Sequence, residues 1–209
     1  MQKIIFAALC LGAAFGIFVT AQNASAASAT IGQTAPNFTL RGADGKKHSL
    51  ADFKGKYVVL EWTNPQCPFV HKFYDSGTMQ ALQTKETAKG VAWLRINSSA
   101  AGHEGSQTVS DLAAYVKDQH VEATESLLDP DGKVGHTYGA RTTPHMFVID
   151  PKGTLIYAGG IDDKPSPDPS DIASAKNYVT TALDEAMSGK PVTVATARPY
   201  GCSVKYASN

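Results

Sequence analysis

The sequence predicts a three-layer α/β domain with a central mixed sheet and an N-terminal β-hairpin. Two continuous apolar runs, typical of strands that are covered on both faces, alternate with two segments of helical periodicity. A second hairpin and a last amphipathic helix follow them along the chain. This order of elements indicates helices packed on both faces of one sheet.

Each element has its own signal in the sequence. Residues 36–53 alternate apolar and polar side chains around Ala43-Asp44-Gly45, which predicts the N-terminal hairpin. Pro151-Lys152-Gly153 is a tight-turn signal between the two strands of the second hairpin. The other predicted elements are strand 57–62, helix 69–88, strand 91–97, helix 108–120 with Ser110 as its cap, strand 125–129, a short helix in 133–140, strands 145–150 and 154–160, and helix 170–188.

The first 26 residues are predicted to be a secretory signal peptide. Lys3 precedes an apolar run of 16 residues, and Ala24-Ser25-Ala26 fits an Ala-x-Ala cleavage site. The run is short for a membrane span, and no stop-transfer charges follow it. We therefore expect cleavage after Ala26 and a secreted or periplasmic protein without stable membrane association.

The remaining chain of about 180 residues has the size of one domain. We expect residues 31–188 to form that domain and residues 189–209 to be an irregular tail. The full sequence contains 19 basic and 19 acidic residues. This balance gives no reason to expect nucleic acid or a membrane surface as a partner.

Cys67 lies at the predicted junction between strand 57–62 and the helix that follows. In an open α/β sheet, ligands gather beyond the carboxyl ends of the strands, and the start of a helix stabilises an anion. Pro65 and Pro68 restrict the backbone on both sides of the thiol. These features predict a reactive thiolate. The alternative is a buried cysteine that acts as a small apolar residue.

A second motif, "RTTPHMFVID" at 141–150, places Pro144 immediately before an apolar strand, where a cis peptide bond would be a deliberate feature. This motif, "FKGKYVVLEWTNPQCPFV" and the N-terminal "IGQTAPNFTLRGADGKKHSLADFKGK" together resemble the thioredoxin fold. They are similar in particular to the redoxin branch, which includes the alkyl hydroperoxide reductase/thiol-specific antioxidant (peroxiredoxin-like) proteins. The resemblance covers residues 31 to about 188. It implies a cis bond at Pro144 that packs against the reactive sulfur.

The sequence also departs from the patterns of both subfamilies. Thioredoxin-type reductases carry Cys-x-x-Cys, whereas Val70 occupies the second cysteine position here. Peroxiredoxins carry a threonine three residues before the reactive cysteine, where this chain has Asn64, with Thr63 one residue further back. Their active-site arginine has no clear counterpart, and Arg141 is the nearest one.

Cys202 is the second cysteine that remains after removal of the leader, since Cys10 lies within it. In the preferred reading, Cys67 attacks and Cys202 resolves the intermediate reversibly. A permanent structural disulfide that fixes the tail is a second possibility. A pair between two chains, or two free thiols, is the third.

Glu61 interrupts the apolar strand close to Cys67. A buried carboxyl group at this place could pass protons to and from the thiol, or it could be a hydrogen-bonded carboxylate. His71 lies one helical turn after Cys67, where a solvated surface histidine is the better interpretation. Cys67, His71 and His145 would form only an incomplete copper site, because copper-delivering relatives of this fold use two cysteines close together and the second one is absent here.

The acidic loop 162–171 could hold a cation through Asp162, Asp163 and Asp168. It lacks the spacing and the central glycine of a calcium loop. An ordinary solvated loop is favoured, and we predict no metal site.

The sequence thus predicts an exported thiol-dependent peroxidase or thiol-disulfide oxidoreductase without a cofactor. Cys67 attacks a hydroperoxide or a protein disulfide, Cys202 resolves, and an external thiol reductant restores both. Pro144 and Glu61 are expected to support the reaction. The alternatives are a thiol-disulfide reductase or isomerase without peroxidase activity, and a non-catalytic binding or copper-carrier module.

Overall fold

The computed structural model describes residues 28–207. The predicted signal peptide and its cleavage site therefore lie outside the described residues. Within residues 28–207, no helix has the length and apolar character that a membrane span requires.

A seven-stranded mixed sheet forms the centre of the fold, in the order β2-β1-β5-β4-β3-β7-β8. β3 and β4 pair in parallel, as do β4 and β5, whereas β7 and β8 run antiparallel to their neighbours. The predicted mixed sheet and both hairpins are confirmed. The strands are β1 (Thr39–Gly42), β2 (Lys47–Ser49), β3 (Val58–Trp62), β4 (Ala92–Asn97), β5 (Glu125–Leu128), β6 (Thr142–Thr143), β7 (His145–Ile149), β8 (Leu155–Gly159) and β9 (Cys202–Ser203).

Helices and loops cover both faces of the sheet, as the apolar runs of the central strands require. One face packs against apolar side chains of α1, α2 and α5, and the other packs against α4 and the N-terminal segment. The three-layer prediction is confirmed. The helices are α1 (Pro68–Tyr74), α2 (Thr78–Ala88), α3 (Val109–Asp118), α4 (Lys133–Tyr138) and α5 (Tyr178–Met187).

The prediction of one continuous helix over 69–88 was wrong, because the chain breaks between α1 and α2. Gly77 has φ of +74°, a left-handed conformation that glycine adopts without steric cost. The Ser76 hydroxyl donates to the Lys72 and Phe73 carbonyls at 2.8 and 3.2 Å, which satisfies two groups at the end of α1. The helix that follows Cys67 is therefore only seven residues long.

Two predicted helix starts also needed correction. Thr108, rather than Ser110, caps α3, since its hydroxyl accepts from the Asp111 N–H at 3.2 Å in a capping box. The helix predicted over 170–188 is a 3₁₀ segment at Pro169–Ser174 followed by α5. Asn177 caps α5 and accepts from the Thr180 N–H at 2.9 Å.

The C-terminal tail packs along the sheet edge and ends beside the strand β6. Ala158 of the edge strand β8 exchanges backbone hydrogen bonds with Ala195 and Ala197 at 3.0 and 3.3 Å. Further along, Thr142 pairs with Ser203 and Thr143 pairs with Cys202 in antiparallel register. The tail thus covers an exposed sheet edge and brings Cys202 to the start of β7.

Candidate active site

The site forms where the carboxyl end of β3 meets the amino end of β7. These strands are antiparallel neighbours, with Trp62 opposite His145, so the segments that follow β3 and precede β7 lie together. Cys67 is the N-cap of α1 and has no exposed surface. Its thiol donates to the Thr143 carbonyl at 3.1 Å. The predicted position of Cys67 at a strand–helix junction is therefore confirmed.

Pro144 follows the residue that accepts the Cys67 thiol. The Thr143–Pro144 peptide bond is cis, as the family resemblance implies. Both residues are buried. The carbonyl of Thr143 is thereby presented to the sulfur from the loop that precedes β7.

Cys202 lies beside Cys67, because β9 pairs with the residue that binds the Cys67 thiol. Cys202 is opposite Thr143 in the β6–β9 ladder, and both cysteines are free thiols. Burial raises the pKa of the Cys202 thiol to about 12, and the neighbouring Cys67 contributes to that shift. Cys202 is thus held as a neutral thiol next to Cys67 at physiological pH.

The raised pKa of Cys202 predicts a specific pH dependence of stability. The unfolded chain releases this proton near the ordinary pKa of 9.0, whereas the folded chain keeps it up to about 12. The thiol therefore favours the folded state below pH 9, and this contribution decreases as the pH rises from 9 to 12. Urea unfolding should show a steeper loss of stability over this range for the native protein than for Cys202→Ser. Parallel pH profiles for the two proteins would contradict the assignment.

Aromatic side chains hold the tail over the site. The Tyr200 ring meets the edge of Phe69 with centroids 5.9 Å apart, and its hydroxyl donates to the buried carboxylate of Asp162. Tyr206 stacks on His136 at 4.0 Å and donates to the Ala140 carbonyl at 2.8 Å. Cys202 lies between these two aromatic residues, whose contacts hold the tail against the site in this conformation.

Glu61 is the centre of a buried polar network. Its carboxylate accepts from the Tyr74 hydroxyl at 2.8 Å, the Gln83 amide at 3.1 Å and the Trp93 indole at 2.7 Å. The Arg95 guanidinium lies 3.8 Å from the same carboxylate. Neither thiol is among the hydrogen-bond partners of Glu61 within residues 28–207. Its role in proton transfer stays a prediction.

Aromatic rings enclose the charged partner of Glu61. The Arg95 guanidinium is 5.0 Å from the ring centroids of both Tyr74 and Tyr115. It also donates to the Ser126 hydroxyl at 3.1 Å. Burial raises the pKa of Tyr74, so its hydroxyl remains a donor. Arg95 is therefore a buried structural residue in the interior of the fold.

The two histidines considered near the site face away from the sulfur. His71 pairs with Asp75 at 3.2 Å on the surface of α1. His145 packs at 4.5 Å on Phe147, on the sheet face opposite Cys67, and burial lowers its pKa to about 3. Its Nδ1 accepts from the Arg141 N–H at 3.3 Å. The structure therefore does not bring His71 or His145 together with Cys67.

A different histidine lies among carboxylates, far along the sheet from the thiols. His48 Nε2 is 3.0 Å from Asp44 and 3.4 Å from Glu125, on the N-terminal hairpin and β5. No spacing in the sequence indicates this group, because Glu125 of β5 is distant along the chain from Asp44 and His48. The three side chains form one cluster that links the N-terminal hairpin to β5.

The three acidic residues of loop 162–171 are used by the protein itself. Asp162 accepts from the Lys164 N–H at 2.9 Å in addition to Tyr200. Asp163 accepts from the Lys176 N–H at 2.9 Å, and Asp168 caps the 3₁₀ segment. This arrangement fits a structural loop.

Asn64 stands at the position where peroxiredoxins carry threonine, and its side chain is hydrogen-bonded to backbone groups. It is buried, its carbonyl oxygen accepts from the Gln66 N–H at 2.8 Å, and its amide donates to the Glu104 carbonyl at 3.2 Å. Arg141 is exposed. Asn64 therefore shapes the loop before Cys67.

Sequence reasoning missed the residues that join the tail to the site. Thr143 supplies the carbonyl that binds the Cys67 thiol, Asp162 binds Tyr200, and Gly201 allows close approach to Thr143. The pair of β-branched residues at 142–143 and the glycine before Cys202 were the available signals. Their pairing depends on tertiary contacts that no local pattern specifies.

Comparisons with known proteins agree with this architecture. The chain is 31% identical over 126 residues to the thiol-disulfide oxidoreductase ResA of Bacillus thuringiensis, over 60% of this chain and 67% of that protein. The crystal structure of a hypothetical protein from Sinorhizobium meliloti matches with a TM-score of 0.75 and 27% identity, over 87% of this chain and 97% of that chain. The thioredoxin domain of a thiol-disulfide oxidoreductase from Bacteroides vulgatus matches with a TM-score of 0.51 and 22% identity, over 70% of this chain and 97% of that chain.

The sheet order, the cis bond before β7 and the cysteine at the start of α1 define a thioredoxin-like protein with a thiol site. Residues 31–158 match the AhpC/TSA family. The chain belongs to this family and is a thiol-dependent oxidoreductase. The family resemblance and the fold predicted from the sequence are thus confirmed.

Proposed function

We propose that the protein is an exported thiol-disulfide oxidoreductase in which Cys67 is the nucleophile and Cys202 the resolving thiol. The observation that carries this proposal is the pairing of Cys202 with Thr143, the residue whose carbonyl binds the Cys67 thiol at 3.1 Å. The thiol-disulfide oxidoreductase named among its relatives supports the same reaction class.

The reaction uses the two thiols in sequence. Cys67 thiolate attacks one sulfur of a substrate disulfide, and the other substrate sulfur leaves as a thiol. Cys202 then attacks the Cys67 sulfur and passes its proton to the second substrate sulfur, which leaves as a thiol, so that a Cys67–Cys202 disulfide remains. An external dithiol reduces this disulfide. Each cycle transfers two electrons from the reductant to the substrate.

The surroundings of Cys67 favour a disulfide over a hydroperoxide. The Asn64 side chain forms hydrogen bonds with backbone groups of Gln66 and Glu104. The Arg95 guanidinium pairs with Glu61 and donates to Ser126. Position 64 therefore supplies no hydroxyl to the sulfur, and Arg95 supplies no charge that would polarise a peroxide bond there. Proton transfer by Glu61 is a separate hypothesis, which the Glu61→Gln variant tests.

Competition between two oxidants tests the reaction class. We expect the reduced protein to form the Cys67–Cys202 disulfide with a model protein disulfide at least about tenfold faster than with hydrogen peroxide at equal concentration. Stopped-flow tryptophan fluorescence and mass spectrometry under pseudo-first-order conditions measure both rates. A faster reaction with peroxide would assign the protein to the peroxidases instead.

Export is proposed from the leader sequence. Lys3, the apolar run and the Ala24-Ser25-Ala26 site are the supporting features. Expression of the full chain in a bacterium should release a protein whose first residue is Ala27, as determined by intact mass. A cytoplasmic protein that keeps Met1 would rule this out.

A further inference from the structure

Cys67 is closed off in the folded protein. It is buried with no exposed surface, and the tail segment Tyr200–Ser203 lies against the site. A substrate disulfide can therefore reach Cys67 only after a neighbouring segment moves. Thr143 and Pro144 are buried parts of the central domain, whereas residues 199–203 are partly exposed and form just two strand pairs. The tail is the segment that can leave at the lowest cost.

The tail runs beside β6 as an extended strand and pairs with it through the main chain. Ser203 and Cys202 lie opposite Thr142 and Thr143, and the Val204 N–H donates to the Arg141 carbonyl at 3.1 Å. Main-chain pairing of this kind depends little on side chains. Any extended segment with a cysteine opposite Thr143 could form the same ladder.

Position 201 of the tail has room only for a glycine. Gly201 has φ of +128°, and a Cβ atom built on it would lie 2.1 Å from the Thr143 carbonyl oxygen. Real Cβ atoms do not approach backbone oxygens this closely. The residue before the cysteine must therefore be glycine if a segment follows the path of the tail.

We propose that the tail segment Tyr200–Ser203 occupies the site where the substrate binds. We further propose that the enzyme acts on protein disulfides whose cysteine directly follows a glycine in an extended segment. This inference rests on the proposed function of Cys67. The substrate strand displaces the tail, pairs with Thr142 and Thr143, and places its cysteine beside Cys67. After attack, the tail returns and Cys202 releases the substrate as a thiol.

The hydrogen bond between Tyr200 and Asp162 opposes displacement of the tail. Its hydroxyl donates to the buried Asp162, and a hydrogen bond to a charged group is stronger than one between neutral groups. The Tyr178 ring packs beside Tyr157 with centroids 6.5 Å apart, and its hydroxyl has no hydrogen bond among the described residues. Tyr178→Phe is therefore a matched control for Tyr200→Phe.

The test uses the full chain with Cys202→Ser, so that the reaction stops at the mixed disulfide with Cys67. The probe is the peptide RPYGCSVKY, which copies residues 198–206, activated as a disulfide with 2-nitro-5-thiobenzoate. A second peptide carries valine in place of the glycine. Release of the coloured thiolate gives the rate for each peptide, and oxidised 2-mercaptoethanol serves as a small disulfide without a peptide.

The proposal expects the glycine peptide to react at least about tenfold faster than the valine peptide. Adding Tyr200→Phe should accelerate the glycine peptide about tenfold, since the competing tail is held less firmly, whereas Tyr178→Phe should leave the rate unchanged. Equal rates for the two peptides would overturn the inference and leave the proposed function intact. A Cys67 thiol that reacts with no disulfide, including the small one, would overturn the proposed function itself.

Discussion

Replacement of Cys67 by serine is expected to reduce the rate of disulfide reduction by at least about three orders of magnitude. Thiolate is the nucleophile in thiol–disulfide exchange, and a serine hydroxyl does not ionise at neutral pH. Serine is close in size to cysteine, and its hydroxyl can still donate to the Thr143 carbonyl that now binds the thiol at 3.1 Å. The variant should therefore fold. Reduction of a model protein disulfide by the full chain, with excess dithiol, measures the effect.

The matched control is Cys202→Ser. It keeps the nucleophile and removes the resolving thiol, so it should react once and then accumulate a mixed disulfide between Cys67 and the substrate. Mass spectrometry distinguishes this adduct from the intramolecular disulfide of the native protein. If Cys67→Ser retained the native rate, or if Cys202→Ser turned over normally, the assigned order of the two thiols would be wrong.

Replacement of Glu61 by alanine is expected to cost about 3–5 kcal/mol of the free energy of unfolding. The substitution leaves the buried Arg95 without its carboxylate and removes the acceptor of Tyr74 and Trp93. An uncompensated buried charge and unpaired buried donors carry costs of this size. Urea unfolding of reduced protein, followed by tryptophan fluorescence, measures the loss.

Glu61→Gln is the control for this prediction. It keeps an acceptor oxygen for the Trp93 indole but removes the charge opposite Arg95. We expect it to be more stable than the alanine variant and to retain most of the disulfide reductase rate. A glutamine variant of native stability whose rate falls about a hundredfold would instead assign proton transfer to Glu61. An alanine variant of native stability would contradict the network described above.

The fold was predictable because its strongest signals are local. The apolar run at 57–62 and the proline at 144 mark strands and a cis bond that the structure confirms. The break at Gly77 and the cap at Thr108 were missed, because a helical pattern of side chains does not show where the backbone leaves the helix. Local conformations of glycine and of capping residues decide those boundaries.

The site was predictable in part. Cys67 and Pro144 stand in motifs that resemble a family, so their placement followed from the sequence. The neighbours of Glu61 come from α1, α2 and β4, and the pairing of Cys202 with Thr143 joins positions about sixty residues apart. Contacts of this kind depend on how complete elements pack, and no local pattern of residues encodes them.

The reduction potential of the Cys67–Cys202 disulfide tests the central claim most directly. The oxidised full chain is equilibrated with mixtures of reduced and oxidised dithiothreitol, and the fraction of disulfide is read by thiol labelling and mass spectrometry. A pair that cycles with a substrate and a reductant should show a midpoint potential above about −300 mV. A midpoint below about −300 mV, as for a permanent structural disulfide, would contradict the assignment of Cys202 as a resolving thiol.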